Sequence, residues 1–301
     1  MGKKGWHGRA ADALRVGPGF DLSAFDPATT PGYHGGRKAA ERLMRRRGKD
    51  LSELQERLYA NGRSGGTRSV LLVLQGMDTA GKGGIVRHVI GMVDPQGVQA
   101  RSFGVPSEEE RAHHYLWRIE RALPAGGRIG VFDRSHYEDV LVVRVHDLVP
   151  PDVWGARYEE INAWEQRRVD EGVVIVKCAL MVSPGVQLDR LDQRLHRPDK
   201  YWKYNPSDID ERAHWPHYMD AYQAVFDRTS TDVAPWHVIP ANHKWFARLA
   251  VTELLTRAME GMELEWPAAD FDVEHERARL AALRRDDAGG AASGAAGAAP
   301  G

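Results

Sequence analysis

Ser69-Val70-Leu71-Leu72-Val73-Leu74-Gln75, followed by Gly76-Met77-Asp78-Thr79-Ala80-Gly81-Lys82-Gly83, decides how this chain folds. The first seven residues are an apolar run of the kind that forms a strand buried on both faces. Gly76 to Lys82 then matches G-x-x-x-x-G-K, and a helix-compatible segment follows. Strand, glycine loop and helix in that order mark a phosphate-binding loop. Lys82 is the phosphate lysine, and backbone N–H groups of Gly76 to Gly83 and the helix N-terminus add positive potential. The other reading, a glycine-rich turn with a surface lysine, is opposed by the completeness and placement of the loop. The usual loop has Ser or Thr after the lysine to hold magnesium. Here Gly83 and Gly84 stand there, and an acid, Asp78, sits inside the loop. The expectation is a phosphate cradle whose metal is held by other groups and whose donor need not be a nucleoside triphosphate.

Further strand candidates are Val98 to Phe103, Ile129 to Asp133, Val173 to Val182 and Trp236 to Pro240. Helical patterns separate most of them, which predicts an α/β fold: a parallel β-sheet sandwiched by α-helices. Residues 1 to about 36 read as an irregular arm. Arg37 to Lys49 is basic, and Leu51, Leu54, Leu58 and Tyr59 repeat at helical spacing. Ser107 to Glu110 reads as a capping box, and His113-His114 as part of a polar helix. Trp215, Tyr218, Tyr222 and Phe226 share one helix face and read as core. The expected division is an arm with a basic helix over 1–50, a P-loop domain over 51–286 and a disordered Ala/Gly tail over 287–301.

Composition bounds the function. The chain has 301 residues, is 42% hydrophobic and 28% charged, and carries a net charge of -1. A whole-surface basic field for nucleic acid is absent, so a polyanion must meet a local patch. The single cysteine, Cys178, fits a reducing compartment and reads as inert in an apolar strand. No apolar run reaches membrane-spanning length, and Lys3-Lys4 precede no apolar leader. A cytoplasmic protein with no membrane or nucleic-acid partner is expected.

Two more stretches carry chemistry. Gly130-Val131-Phe132-Asp133-Arg134-Ser135-His136-Tyr137 is an apolar strand ending in an acid. In doubly wound sheets ligands gather at the carboxyl ends of strands, so Asp133 is expected near Lys82, holding or orienting Mg²⁺. Capping the next helix is its other reading. Arg134 is placed to meet phosphate oxygens with its planar fork. Glu138, one helical turn on, reads equally as a site residue or a surface acid. In Gln187 to Lys203, Leu188, Leu191 and Leu195 fall on one helical face. Arg190, Arg194 and Arg197 fall on the opposite face, with Lys200 and Lys203 extending the stripe past Pro198. Such a ladder suits a linear phosphate chain, although Asp189, Asp192 and Asp199 also permit ordinary surface ion pairs.

Taken together, GMDTAGKGG (Gly76 to Gly84), FDRSHYEDVLVVRVH (Phe132 to His146), RLDQRLHRPDKYWKYNPSDIDER (Arg190 to Arg212) and APWHVIPANHKWFARL (Ala234 to Leu249) resemble the family-2 polyphosphate kinases. The resemblance runs from about Leu51 to about Trp266. It implies a P-loop kinase-like fold with a helical lid over about 187–215. It also implies reversible, Mg²⁺-dependent transfer of the terminal phosphoryl group of inorganic polyphosphate to AMP or ADP, giving ADP or ATP. Asp78, Lys82, Asp133, Arg134 and Arg194 match the family's catalytic and phosphate-contacting positions. Asp78 and Asp133 are then the metal-holding acids, and Arg194, Arg197, Lys200 and Lys203 line the polyphosphate path. RSHYED resembles the class accepting both AMP and ADP, with Glu138 at a position where other classes carry asparagine. The resemblance also implies a homodimer or homotetramer. Two rivals remain: an ATP-dependent nucleoside monophosphate kinase, opposed by Gly83 and the long ladder, and a non-catalytic polyanion-binding P-loop module.

Overall fold

The computed structural model describes the backbone of residues 5–295 and side chains as far as residue 285. Five strands form one parallel sheet: β1 (Ser69–Gln75), β2 (Val98–Ser102), β3 (Ile129–Asp133), β4 (Val173–Met181) and β5 (Trp236–Pro240), in the order β2-β3-β1-β4-β5. β1 is central, and Leu74 pairs with Asp133 of β3 on one side and Cys178 of β4 on the other. The carboxyl ends of β1 and β3 therefore lie within one residue of each other, β4 runs two residues further, and the phosphate loop leaves from between them.

Alternation along β1 builds a core on each face of the sheet. Val70, Leu72 and Leu74 point to one face, packed with Leu51 and Leu58 of helix α1 (Arg37–Arg63) and with Leu254 and Leu255 of a helix near the end of the same unit. Leu71 and Val73 point to the other. There they join Ile161 and Trp164 of helix α3 (Pro151–Asp170) and Tyr222 and Phe226 of helix α5 (Trp215–Thr229). Helix α2 (Lys82–His88) follows the phosphate loop, α4 (Pro184–Leu195) opens the lid segment after β4, and α6 (Lys244–Glu260) follows β5. Arg47 of α1 is spent on Glu253 and Glu260 of α6, both at 2.9 Å, so this member of the basic segment ties two helices together.

Some local readings change. The arm over 5–36 packs rather than wandering: Ala10 and Leu14 are buried, and Val16 N–H donates to Trp236 O at 2.9 Å along the outer edge of β5. The Ser107 capping box forms, but its helix ends at Arg111, so exposed His113 and His114 lie beyond it. α1 is one continuous helix through the basic segment and the leucine repeat. Among the described residues, those up to Glu265 form one compact unit and those from Trp266 onward a second. The second holds helix α7 (Val273–Ala295), which enters the stretch expected as a tail; 296–301 lie outside the described residues.

Candidate active site

The phosphate loop is shaped by close approach. Gly76 has φ +149°, and a Cβ there would lie 2.5 Å from Leu180 O, so no side chain fits. Gly81 (φ +117°) and Thr79 (φ +63°) carry the chain round to α2. Lys82 opens that helix, buried, with Nζ donating to Gly76 O at 2.6 Å. At Gly83 a Cβ would meet nothing within 4 Å. Packing therefore does not dictate the loss of the usual hydroxyl.

Asp133 ends β3 beside this loop. The next residue, Arg134, takes φ +66°, a left-handed conformation unfavourable for its side chain. Its N–H still donates to Leu74 O at 3.0 Å, and its Nη2 reaches Asp78 Oδ1 at 2.9 Å. The loop acid and the strand-end arginine are thus joined directly. Burial opposes the charge on Asp78, but Lys82 and Arg134, helped by Arg194, outweigh it and hold the carboxyl below its ordinary value. Burial lowers the Lys82 ammonium, and Arg134 lowers it further against the pull of Asp78 and Asp133. Glu138 shifts the opposite way from Asp78: burial raises it, although Arg134 and Lys82 oppose, and Gln75 Nε2 donates to it at 3.0 Å.

Two cavities meet at the Asp78–Arg134 pair. The larger, about 560 Å³, runs from Lys82 and Asp133 past Arg194, Arg197, Lys200 and Lys203. It also takes in Arg87, Lys244 and Arg248, which the motif reading gave no role. Lys244 and Arg248 open α6 one turn apart, immediately beyond the carboxyl end of β5. Both lie within the quoted Ala234 to Leu249 motif, but the sequence reading assigned them no role. Burial lowers the Lys244 ammonium, and so do Arg190, Arg248, Arg194 and Arg197, as expected where cations are gathered with few acids. The smaller cavity, about 280 Å³, lies on the other side of the pair. Glu138, Leu141, His146, Glu211 and Tyr222 line it, a mixture of apolar, aromatic and ionisable side chains. Tyr218 Oη donates to Glu211 Oε2 at 2.9 Å, and His146 Nε2 lies 3.1 Å from Glu211 Oε1. Tyr218 and Tyr222 are buried as the core reading required, yet both also face this cavity.

The arginine ladder is only partly as expected. Arg194 Nη1 bonds Lys203 O at 2.7 Å and Asp208 at 3.1 Å, and Arg197 pairs with Asp199; both still line the large cavity. Arg190 also lines the large cavity, but it is buried, and its guanidinium is taken up by main-chain carbonyls of the phosphate loop and of the β5–α6 turn. The leucine face behaves unexpectedly too. Leu188 and Leu195 are 53% and 47% exposed, whereas Gln187 and Arg190 turn inward.

A cation fits the donor set. Asp78 and Asp133 offer hard carboxylate oxygens to one cavity, and no group of three His, Cys, Asp or Glu able to hold a metal occurs among the described residues. Such a site suits an ion that takes one or two carboxylates and draws its other ligands from phosphate and water.

The comparisons with known proteins agree with this geometry. Residues 36–267 match the family described as Polyphosphate kinase 2 (PPK2). An AMP/ADP-polyphosphate phosphotransferase of Meiothermus ruber is 44% identical over 255 residues, 85% of this chain and 94% of that protein. An ADP-polyphosphate phosphotransferase of Rhodopseudomonas palustris is 40% identical over 84% of this chain and 91% of that protein. The crystal structure of a polyphosphate kinase 2 from Arthrobacter aurescens superposes with a TM-score of 0.90 at 51% identity, covering 92% of this chain and 98% of that one.

Proposed function

The chain belongs to the polyphosphate kinase 2 family, and we propose that it moves the terminal phosphoryl group of inorganic polyphosphate to AMP and ADP, reversibly, with Mg²⁺. The observation that carries this is the meeting of two unlike cavities at Asp78–Arg134. The larger, basic one suits a linear polyanion, with Arg194, Arg197, Lys200 and Lys203 along it. The smaller suits a nucleoside, whose flat base needs apolar walls and a few polar contacts.

Phosphoryl transfer asks the protein chiefly for alignment and charge neutralisation. A phosphate oxygen of the acceptor bonds to the terminal phosphorus while the bridging P–O bond to the chain breaks. The shortened polyphosphate leaves with that oxygen and its charge. Lys82, Arg134 and Arg194 offset the charge on the moving group, and Arg134, on the shared wall, borders both the donor and the acceptor cavity. The acceptor phosphate needs no strong base, because its second pKa is about 6. Asp78 and Asp133 would hold the Mg²⁺, which when bound supplies further charge neutralisation at the phosphates. Glu138 in the nucleotide cavity, together with the likeness to the Meiothermus protein, supports acceptance of both AMP and ADP. The lone buried Cys178 supports a reducing, cytoplasmic setting, and a homodimer or homotetramer is the assembly to look for.

The experiment is an assay without ATP, using purified protein, Mg²⁺, long-chain polyphosphate and either AMP or ADP, read by nucleotide chromatography. ADP followed by ATP from AMP is expected. Turnover of ADP alone would remove the dual-acceptor reading. Turnover of AMP only when ATP is the donor would favour a nucleoside monophosphate kinase, and binding without turnover would favour a non-catalytic module.

A further inference from the structure

Gln187 and Arg190, at the root of the lid helix, each border one cavity, Gln187 the smaller and Arg190 the larger, but their polar atoms turn to the back of the phosphate loop and hold its peptide groups. Gln187 is 1% and Arg190 7% exposed. Gln187 Nε2 donates to Asp78 O at 3.2 Å. Arg190 Nη1 donates to Thr79 O at 2.9 Å and to Ala80 O at 3.2 Å. Its Nη2 donates to Ala241 O at 2.6 Å and Asn242 O at 3.0 Å, in the turn between β5 and α6. Three successive carbonyls of the loop are therefore drawn toward α4.

A trans peptide plane points its N–H opposite its C=O. Fixing Asp78 O and Ala80 O behind the loop thus directs the N–H groups of Thr79 and Gly81 away from α4. The intervening Ala80 N–H is used within the loop, on Met77 O at 3.1 Å. The N–H groups of Thr79 and Gly81, aimed to one side, then leave two donors for an anion, as in a backbone anion-binding concavity. The same bonds restrain Thr79, a β-branched residue held at φ +63°, which would otherwise relax. Gln187 is itself gripped: its Oε1 accepts from Arg212 Nη1 at 2.5 Å, and the same nitrogen donates to Pro184 O at 3.0 Å. Arg212 belongs to the returning end of the lid segment. The set of the lid is thus passed through one amide to the carbonyl of Asp78.

We propose that Gln187 and Arg190 are positioning residues that shape the phosphate loop and couple it to the lid, and that Arg190 is not a rung of the polyphosphate ladder. This rests on the proposed polyphosphate reaction.

The test compares Arg190→Lys, Arg190→Met and Gln187→Met with Arg197→Met, a channel residue. It measures kcat, both KM values, the thermal midpoint and the salt dependence of kcat/KM for polyphosphate. Polyphosphate is a dense line of charge, so losing one direct cation contact should flatten the log–log salt slope by about one. Arg197→Met is expected to show that flattening. Both Arg190 variants are expected to lose kcat about 100-fold, the scale of a lost oxyanion donor, with the wild-type slope and an unchanged nucleotide KM. Lysine fails equally because one ammonium cannot span two segments as a planar fork does. Gln187→Met should lose kcat about 10-fold in the same manner, about half a lost-donor effect on a log scale. Near-wild-type activity in Arg190→Lys, with a flattened slope in Arg190→Met, would make Arg190 a direct phosphate contact and overturn the assignment. A lowered thermal midpoint with normal kcat per folded molecule would overturn it too, as a merely structural role. If the Arg190 variants do not fold, Gln187→Met decides alone. Failure of the polyphosphate reading itself would appear separately, as absent polyphosphate turnover in the unsubstituted protein.

Discussion

Arg134 and Asp78 lie 2.9 Å apart, one at the end of β3 and the other inside the phosphate loop, and both belong to the wall shared by the two cavities. The pair is partly exposed, at 36% and 32%. As a contribution to stability it is therefore minor, since exposed pairs are worth about 0–1 kcal/mol. Its position matters more. Arg134 is kept in a left-handed backbone conformation with its fork directed to where a phosphoryl group would cross. Asp78→Asn and Arg134→Met are each expected to lower kcat by about 10²–10³-fold, the scale of a lost preorganised charge, with thermal midpoints near the wild type. Steady-state kinetics with polyphosphate and ADP checks this. A kcat within a few-fold of wild type for either variant would remove that residue from the reaction.

The channel cations should behave differently. Arg197, Lys200 and Lys203 are distributed along the large cavity and do not touch the shared wall. Neutralising any one should raise KM for long polyphosphate several-fold, about 1 kcal/mol of charge-assisted contact, with kcat little changed. Short chains that do not reach the altered cation should be used as well as before. A kcat loss independent of chain length would assign these residues to the chemical step instead.

How far the sequence could be read depended on whether the signal was local. The apolar runs Ser69–Gln75, Ile129–Asp133 and Val173–Met181 identified themselves as strands because each is buried on both faces. Gly76 to Lys82 was legible because a phosphate loop is one contiguous device. The carbonyl partners of Arg190 were not legible because helical spacing gives which residues share a face, not what that face meets. Near the site the inward face of α4 is mixed: Leu191 is buried, Arg190 and Gln187 point inward beside it to pair with bare carbonyls, and Leu188 and Leu195 are left outside. Arg87, Lys244 and Arg248 come from two helices far apart in the chain, and only the parallel sheet brings them to one cavity. The arm was opaque because its Ala10–Leu14 helix is five residues long, and one buried i, i+4 pair is too brief to register as a periodic pattern.

Glu138 gives a pH prediction for activity. Burial raises its carboxyl, with Arg134 and Lys82 opposing, so it takes up a proton at a higher pH than an ordinary glutamate. Its charged form balances Arg134 in the nucleotide cavity. Lowering the pH through that raised pKa should therefore reduce kcat/KM for the nucleotide. Glu138→Gln, a mimic of the protonated form, should be low throughout that window and nearly flat. A pH–rate profile of Glu138→Gln with the wild-type acid limb would show that another group titrates there.

His237 gives a pH prediction for stability. It is buried on β5, with Nδ1 3.3 Å from Lys177 O, and burial lowers its pKa from 6.5 to about 4. Between those values the unfolded chain binds a proton and the folded chain does not, so stability rises with pH across the window and is lost on acidification. At about 1.4 kcal/mol per pKa unit, the full effect is about 3 kcal/mol between pH ~6.5 and ~4. His237→Gln should lack this part of the acid destabilisation. Urea unfolding of both proteins at pH 7, 5.5 and 4.5 measures it, and parallel pH dependences would assign the loss to other groups.

Beneath the site lies a buried ion pair. Lys177 Nζ is 2.6 Å from Glu165 Oε2 and donates to Tyr137 Oη and Thr229 O, each at 2.8 Å. Glu165 also accepts from Tyr137 Oη at 2.8 Å, and its Oε1 lies 3.3 Å from His136 Nε2. Burial alone would raise the Glu165 carboxyl, but Lys177 and His136 outweigh it and keep it charged. His136 and Tyr137 belong to the turn that runs from Arg134 to Glu138, so this pair anchors both site residues from below. Removing one partner strands a buried charge and should cost about 3–5 kcal/mol, as in Glu165→Gln or Lys177→Met. Replacing both with apolar groups, Lys177→Met with Glu165→Leu, removes that penalty and should recover much of the stability. It does not restore the anchors of His136 and Tyr137. The double variant is therefore expected to unfold at a denaturant midpoint nearer the wild type than either single variant, yet to keep a kcat at least about 10-fold below it, the cost of a site misplaced by less than 1 Å. Recovery of both stability and kcat would reduce the pair to a packing element without a hold on the Arg134–Glu138 turn.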